Sequence, residues 1–485
     1  METSILVDID TATLHHVCSF LSANDLVLSV KPLNKAFRQC VTSVLGSKAS
    51  RVRYSADVPL WALRGLGVTG LTYLEKKHLM VTAAKGGRLQ TMQWAREQGC
   101  HWDCRVSEAA AQGGHLAVLQ WLQAEGCPWD SRTCAAAVRG GHLEVFHWAL
   151  QSGCPRSCDI CSVAAASGKL ELLRLVRNSG CPWGACTCAA AAGTGNLLML
   201  QWAREQGCPW DPETCLAAAK GGHLELLQWA QLNGCRWTTK TGVAAAEGGH
   251  LAVLQWWKVV PNWSGFGCPW EARICSGAAQ YGHLDVLKWL REQGCPWDAE
   301  TCCLAARFGH LGVLQWARQN GCEWDSSTCS AAAQGGHMEV LQWARANGCP
   351  WDSSACTAAA LGGHLGVLQW LRREGCPWDG RTCTAAARHP LPLLQWVREN
   401  GCEWGEFVSA AAAEEGRLDV LQWAHENGCP LNQLVCIKAA KGGHFELLQW
   451  AREQGCYWSA SYVAGCAIIS GHMEIAQWAK EQVGP

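Results

Sequence analysis

The stretch Gly126-Cys127-Pro128-Trp129-Asp130-Ser131-Arg132-Thr133-Cys134-Ala135-Ala136-Ala137-Val138-Arg139-Gly140-Gly141-His142-Leu143-Glu144-Val145-Phe146-His147-Trp148-Ala149-Leu150-Gln151-Ser152 decides the fold, because it is one copy of a unit rewritten about every 27 residues from residue 73 to the C-terminus. The Gly-Cys beat falls at Cys100, Cys127, Cys154, Cys181, Cys208, Cys235, Cys268, Cys295, Cys322, Cys349, Cys376, Cys402, Cys429 and Cys456. Only the steps 235 to 268 and 376 to 402 break the spacing. A unit this short cannot bury its own apolar face, so neighbours must stack to complete each core layer.

Each unit reads as two short helices. Asp130 is the expected N-cap of a first helix through Thr133, Cys134 and the alanine run. Gly140-Gly141-His142 turns the chain into a second helix carrying Leu143, Val145, Phe146 and Trp148, which ends at Gly153. The alanines allow close approach of first helices, while the bulky second helix is expected to fill the space between layers. Trp94, Trp121, Trp148, Trp202, Trp229, Trp256, Trp289, Trp316, Trp343, Trp370, Trp396, Trp423, Trp450 and Trp478, with Leu175 in the vacant slot, count fifteen repeats. The predicted fold is an all-α superhelical solenoid of about fifteen stacked helix pairs over residues 73–485. A small helical segment at residues 1–45 and a connecting region or degenerate repeat at 46–72 precede it.

A net charge of -1 with 17% charged residues provides no global field for nucleic acid or an anionic membrane surface, and neither is expected as a partner. No apolar run approaches the roughly 20 residues needed to cross a bilayer. The first residues lack the basic start and long apolar stretch of a secretory signal. The chain is therefore expected in the cytoplasm or nucleus, as a monomer.

Of the 31 cysteines, 24 occupy two repeat positions, the Gly-Cys site and the Thr-Cys site seven residues on. Without a signal peptide, they are expected to be reduced, small buried hydrophobes. Cys-x6-Cys is not a zinc spacing, and Cys158-x-x-Cys161 and Cys186-x-Cys188 lack a matching second pair in sequence, so no metal site is expected. Twelve further tryptophans follow the Gly-Cys beat, from Trp102 and Trp129 to Trp458. With little basic interleaving, they read as loop packing between layers. His115, His142, His223, His250, His283, His310, His337, His364, His444 and His472 recur at one position, where Lys169, Asn196 and Arg417 also stand. So many equivalent imidazoles argue against a single active centre and for hydrogen bonds that tie down the inter-helix turn. No catalytic residue and no cofactor site stands out from the repeat background.

The variable positions carry more information about binding. Three residues before the histidine site the chain reads Gln112, Arg139, Lys220, Glu247, Arg307, Gln334, Leu361, Glu414 and Lys441, with Ala166, Gly193, Gln280 and Ile469 in the other copies. Scatter on a constant scaffold marks a candidate partner-binding face, against the alternative of a neutral solvated surface. Two irregularities interrupt the pattern. The insertion around residues 258–266 reads as a docking loop or a flap, and Arg388-His389-Pro390-Leu391-Pro392 replaces the Gly-Gly-His turn, where a change of curvature is expected.

The run Thr-Cys-x-Ala-Ala-Ala-x-Gly-Gly-His-Leu-Glu-Val-Leu-Gln-Trp resembles the ankyrin repeat, in which a Thr-Pro-Leu-His-x-Ala-Ala helix precedes Gly-His and an apolar second helix. The unit here is six residues shorter and reads Thr-Cys-x-Ala for the tetrapeptide; by the resemblance, most of the projecting hairpin is missing. Residues Ile9 to Leu26, with Leu33-Asn34-Lys35-Ala36-Phe37-Arg38, look like an F-box. That resemblance implies docking of a Skp-type adaptor of a cullin ubiquitin ligase through Leu14, Val17, Leu21 and Leu26, with substrates presented by the repeats. The alternative is a plain ankyrin-like scaffold whose N-terminus only caps the first repeat.

Overall fold

The computed structural model describes residues 73–259 and 270–482. These residues form 30 helices and no strands, arranged as consecutive pairs: the chain is an all-helical repeat solenoid. By its contacts it divides into two compact units, one comprising the described residues to Ala218 with Glu225–Arg236, the other Ala219–Leu224 with the described residues from Trp237 onward. Both are built from the same pair.

In the quoted copy, the first helix is Ser131–Gly140 and the second Leu143–Gln151. Asp130 caps the first by accepting the backbone N–H of Arg132 at 2.9 Å. Asp103, Asp298, Asp325, Asp352, Asp379 and Asn432 cap their helices in the same way. Both turns of the unit have Schellman geometry. Gly141 (φ 77°) and Gly153 (φ 86°) occupy the left-handed region, and the N–H groups of His142 and Cys154 reach back to the carbonyls of Ala137 and Ala149, each at 2.9 Å. The Gly-His and Gly-Cys pairs are thus the two C-terminal stops of one repeat.

Within the second unit, first helices lie against first helices, as in Ala299–Arg307, Ser326–Gly335 and Ser353–Leu361. The alanines make this possible: Ala332 and Ala333 are fully buried. The core of a regular pair consists of at least two alanines and the Thr-Cys thiol from the first helix, with three residues of the second, such as Val313, Leu314 and Ala317. The tryptophan series lies elsewhere. Trp316 and most of its equivalents are only half-buried, while Val313, Leu314 and Ala317 of the same helix are buried. An indole at this position points to the rim of the helix pair; the branched aliphatics before it face inward.

One repeat departs from the pattern at two positions together. Gly242 replaces the Thr-Cys cysteine, and Trp257 replaces the alanine that follows the second-helix tryptophan. Trp257 is 6% exposed, and a Cβ on Gly242 would lie 2.1 Å from its ring. The indole occupies the volume of the missing side chain. At the other irregularity the first helix shortens to Gly380–Ala386, and Pro390 caps the second helix, Leu391–Glu399.

Candidate functional site: the first-helix face

The variable residues sit in the last turns of the first helices, and their main chains are fixed from the next repeat. His250 Nε2 donates to the carbonyl of Lys220 at 3.0 Å, His283 to Glu247 at 3.0 Å, His364 to Gln334 at 3.1 Å, His444 to Glu414 at 3.1 Å and His472 to Lys441 at 3.1 Å. Because the acceptor is a carbonyl, Nε2 carries the proton in each. The opposite side of each ring lies on a left-handed glycine of the preceding repeat: a Cβ on Gly222, Gly309 or Gly443 would stand 2.3, 2.6 or 2.5 Å from the imidazole of His250, His337 or His472. The predicted hydrogen bond exists, but it joins consecutive repeats rather than closing the turn of its own. Asn196 substitutes for imidazole by donating to the carbonyl of Gly168 at 3.0 Å. In the irregular repeat His389 keeps the bond, to Leu361 at 2.8 Å.

With the backbone held, the side chains differ from step to step. Arg307 and Gln334 share one shallow cavity of about 280 Å3 with Cys303, Leu304, Ser326, Ser327, Ser330 and Ser354, drawn from three successive first helices. The Ser330 and Ser354 hydroxyls lie 2.6 Å apart across the repeat boundary. Lys220 and Glu247 face each other at 3.8 Å. Arg139 pairs with Glu108 at 3.9 Å, and Glu414 with Lys438 at 2.7 Å and Arg388 at 2.8 Å. Its hydrogen bond to Lys438 and then the Arg388 guanidinium hold the Glu414 carboxyl below the usual glutamate range. Leu361 is 45% exposed, Lys441 is exposed, and Gln112 is half-buried at the equivalent point of the first unit. Sequence reading missed Glu108, Ser330 and Lys438, which share the face. The signal for Glu108 and Ser330 was a second variable position seven residues before the histidine site; Lys438 stands six before it.

The opposite edge carries a stack that the sequence analysis also missed. Arg291, Arg318, Arg345, Arg372 and Arg398 lie 4.2 to 4.8 Å over the rings of Trp297, Trp324, Trp351, Trp378 and Trp404. Each loop tryptophan meets the second-helix tryptophan of its own repeat edge-on, as in Trp297–Trp316 at 5.7 Å. The guanidinium also donates to the loop cysteine carbonyl, at 2.9 Å for Arg318 and Cys322. Basic interleaving is therefore present, at an Arg-x5-Trp spacing.

All described cysteines are free, and most are buried. Loop thiols donate to the carbonyl of the preceding first-helix cap, as Cys322 does to Asp298 at 3.3 Å. Burial pushes the Cys161 thiol up to about 12. Among the described residues no helix is long and apolar enough to cross a membrane, and no group of three or more His, Cys, Asp or Glu side chains is arranged to hold a metal. Leu14, Val17, Leu21 and Leu26 lie outside the described residues, as does the insertion beyond Val259.

No protein-family model and no curated protein matches the chain. Among solved structures, it is similar to the pentatricopeptide repeat protein PPR10 from maize, with 14% identity over 98% of this chain and 89% of that one, at a TM-score of 0.32. It is similar also to PPR10 in complex with an 18-nt psaJ RNA element, with 13% identity over 98% of this chain and 78% of that one, at a TM-score of 0.32. The expectation of no nucleic-acid partner is corrected on this point. A net charge summed over a chain does not fix the charge along one face, so the value of -1 excludes no nucleic-acid partner.

Proposed function

We propose that the chain is a non-enzymatic binding scaffold whose first-helix face takes a polypeptide partner. The observation that carries this reading is the cavity, lined from three successive first helices, in which Arg307 and Gln334 meet serines of two of them. Each repeat offers its own side chain from the same fixed position, with cation, anion, amide and Leu361 among them, and a polypeptide is a ligand whose side chains vary along its length. Selection of a displayed peptide library on the full chain tests it. Selected peptides should lose at least about tenfold in affinity, roughly 1.4 kcal/mol, when Arg307→Glu and Ser330→Ala are combined. Peptides indifferent to those changes, or enrichment of an RNA pool with no peptide selected, would overturn it.

The finer reading is that the repeats are ankyrin-like and that residues 1–45 form an F-box-like segment which engages a Skp-type adaptor, so that bound substrates reach a cullin-type ubiquitin ligase. It is supported by the pattern from Ile9 to Leu26 and the Leu33-to-Arg38 ending. Free buried thiols suit a reducing compartment, cytoplasm or nucleus. Changing Val17 and Leu21 to Asp should abolish adaptor capture without loss of helicity. If the intact chain captures no adaptor, a plain scaffold remains.

A further inference from the structure

Cys186 is the one exposed cysteine among the described residues. It is the second residue of the first helix Ala185–Gly193, and it lies beside Cys158, which opens the preceding first helix Cys158–Ala166: the Ser162 hydroxyl is 3.1 Å from the Cys158 carbonyl oxygen and also reaches Cys186. In sequence these residues belong to two separate half-motifs, Cys158-x-x-Cys161 and Cys186-x-Cys188. Stacking divides both. Cys161 and Cys188 turn into the core at 0% exposure, while Cys158 and Cys186 meet on the first-helix face. Ser162 donates its hydroxyl to Cys186 Sγ at 2.9 Å. Gly184 adjoins both residues: a Cβ there would stand in ordinary contact, 3.7 Å from Cys186 Sγ and 3.8 Å from Cys158 Cβ. Both sulfurs lie in first turns of helices, and burial first, then the neighbouring Cys186, pushes the Cys158 thiol up, which suits it to the second step.

We propose that Cys158 and Cys186 are a redox-active dithiol that a hydroperoxide oxidises to a disulfide joining two consecutive repeats on the partner-binding face. The Cys186 thiolate attacks one peroxide oxygen. An S–O bond forms, the O–O bond breaks, and the leaving hydroxide takes up the thiol proton as water. The Cys158 sulfur then attacks Cys186 Sγ; the S–S bond forms, the S–O bond breaks, and the second oxygen departs as water with the Cys158 proton. Two thiols lose two electrons in all, and one hydrogen peroxide becomes two waters. The hydroxyl of Ser162 stabilises the attacking sulfur. The core pairs, among them Cys188 beside Cys208, have no such access.

The full-length chain treated with one equivalent of hydrogen peroxide, blocked with N-ethylmaleimide and mapped by peptide mass spectrometry, tests this. A Cys158–Cys186 cross-link reversible by dithiothreitol is expected before any core pair oxidises. Ser162→Ala should slow its formation about two- to tenfold, and Cys158→Ser should leave Cys186 as a sulfenic acid trapped by dimedone. Oxidation of Cys186 to sulfinic acid with Cys158 still alkylated, or a core pair cross-linking first, would overturn the proposal.

Discussion

His250 Nε2 donates a hydrogen bond to the main-chain carbonyl of Lys220, 3.0 Å away and thirty positions earlier. The bond leaves the Lys220 side chain unconstrained while it fixes the backbone that carries it. Repeated along each unit, this relationship separates the part of the repeat that must stay constant from the part that can change. The imidazole of most repeats and the glycine beneath it are kept, and the residue three places before each histidine site is the variable one.

The interlock predicts unequal costs at two glycines of similar backbone angle. Gly321 (φ 85°) has no neighbour within 4 Å of a built Cβ, so Gly321→Ala should cost about 1–2 kcal/mol for the left-handed conformation alone. Gly309 (φ 81°) lies under His337, and Gly309→Ala should add about 1–3 kcal/mol of overpacking. Chemical denaturation measures both; equal losses would deny the interlock.

Gly242 and Trp257 should be energetically coupled. Gly242→Ala alone puts a methyl into the indole and should destabilise by about 1–3 kcal/mol. Trp257→Ala alone leaves a cavity and should cost about 3–5 kcal/mol. The double variant, which recovers the usual alanine at position 257 and has room for a side chain at 242, should be more stable than the sum by about 1–3 kcal/mol. A double-mutant cycle summing to zero would contradict the packing described.

Leu314→Ala should cost more than Trp316→Ala. Leu314 is fully buried, and its truncation should destabilise by about 2–5 kcal/mol. Trp316 is half-buried and meets Trp297 edge-on at 5.7 Å, a pair worth about 0.5–1.5 kcal/mol. Hydrogen exchange should show the Leu314 effect in its own and adjacent repeats, with distant repeats retaining protection.

Glu414 gives a pH-dependent contribution. Its folded-state affinity for protons is lowered by Lys438 first and then by Arg388, relative to an ordinary value of 4.5. A depressed carboxyl stabilises the fold above its unfolded value and loses that effect as pH falls through the folded one. Glu414→Gln should therefore lower the melting temperature at neutral pH, and the gap to the unaltered chain should close on acidification below about 4.5. A gap that persists in acid would assign the effect to packing.

Much of the fold was legible along the chain because its determinants are local. The 27-residue period, the Asp130 cap, the left-handed Gly141 and Gly153 and the two helices between them follow from capping, backbone sterics and the spacing of apolar residues within one unit. The variable residues before each histidine were legible as a series for the same reason. What lay across a repeat boundary was not. That His250 reaches Lys220, that Cys158 leaves Cys161 to meet Cys186, that Trp257 fills the place of a side chain missing at Gly242, and that Trp316 sits at the rim depended on how one helix pair lies against the next. A periodic sequence repeats its residue types at every step, but which atoms touch is set by the offset and rotation between stacked helices, and only tertiary packing decides those.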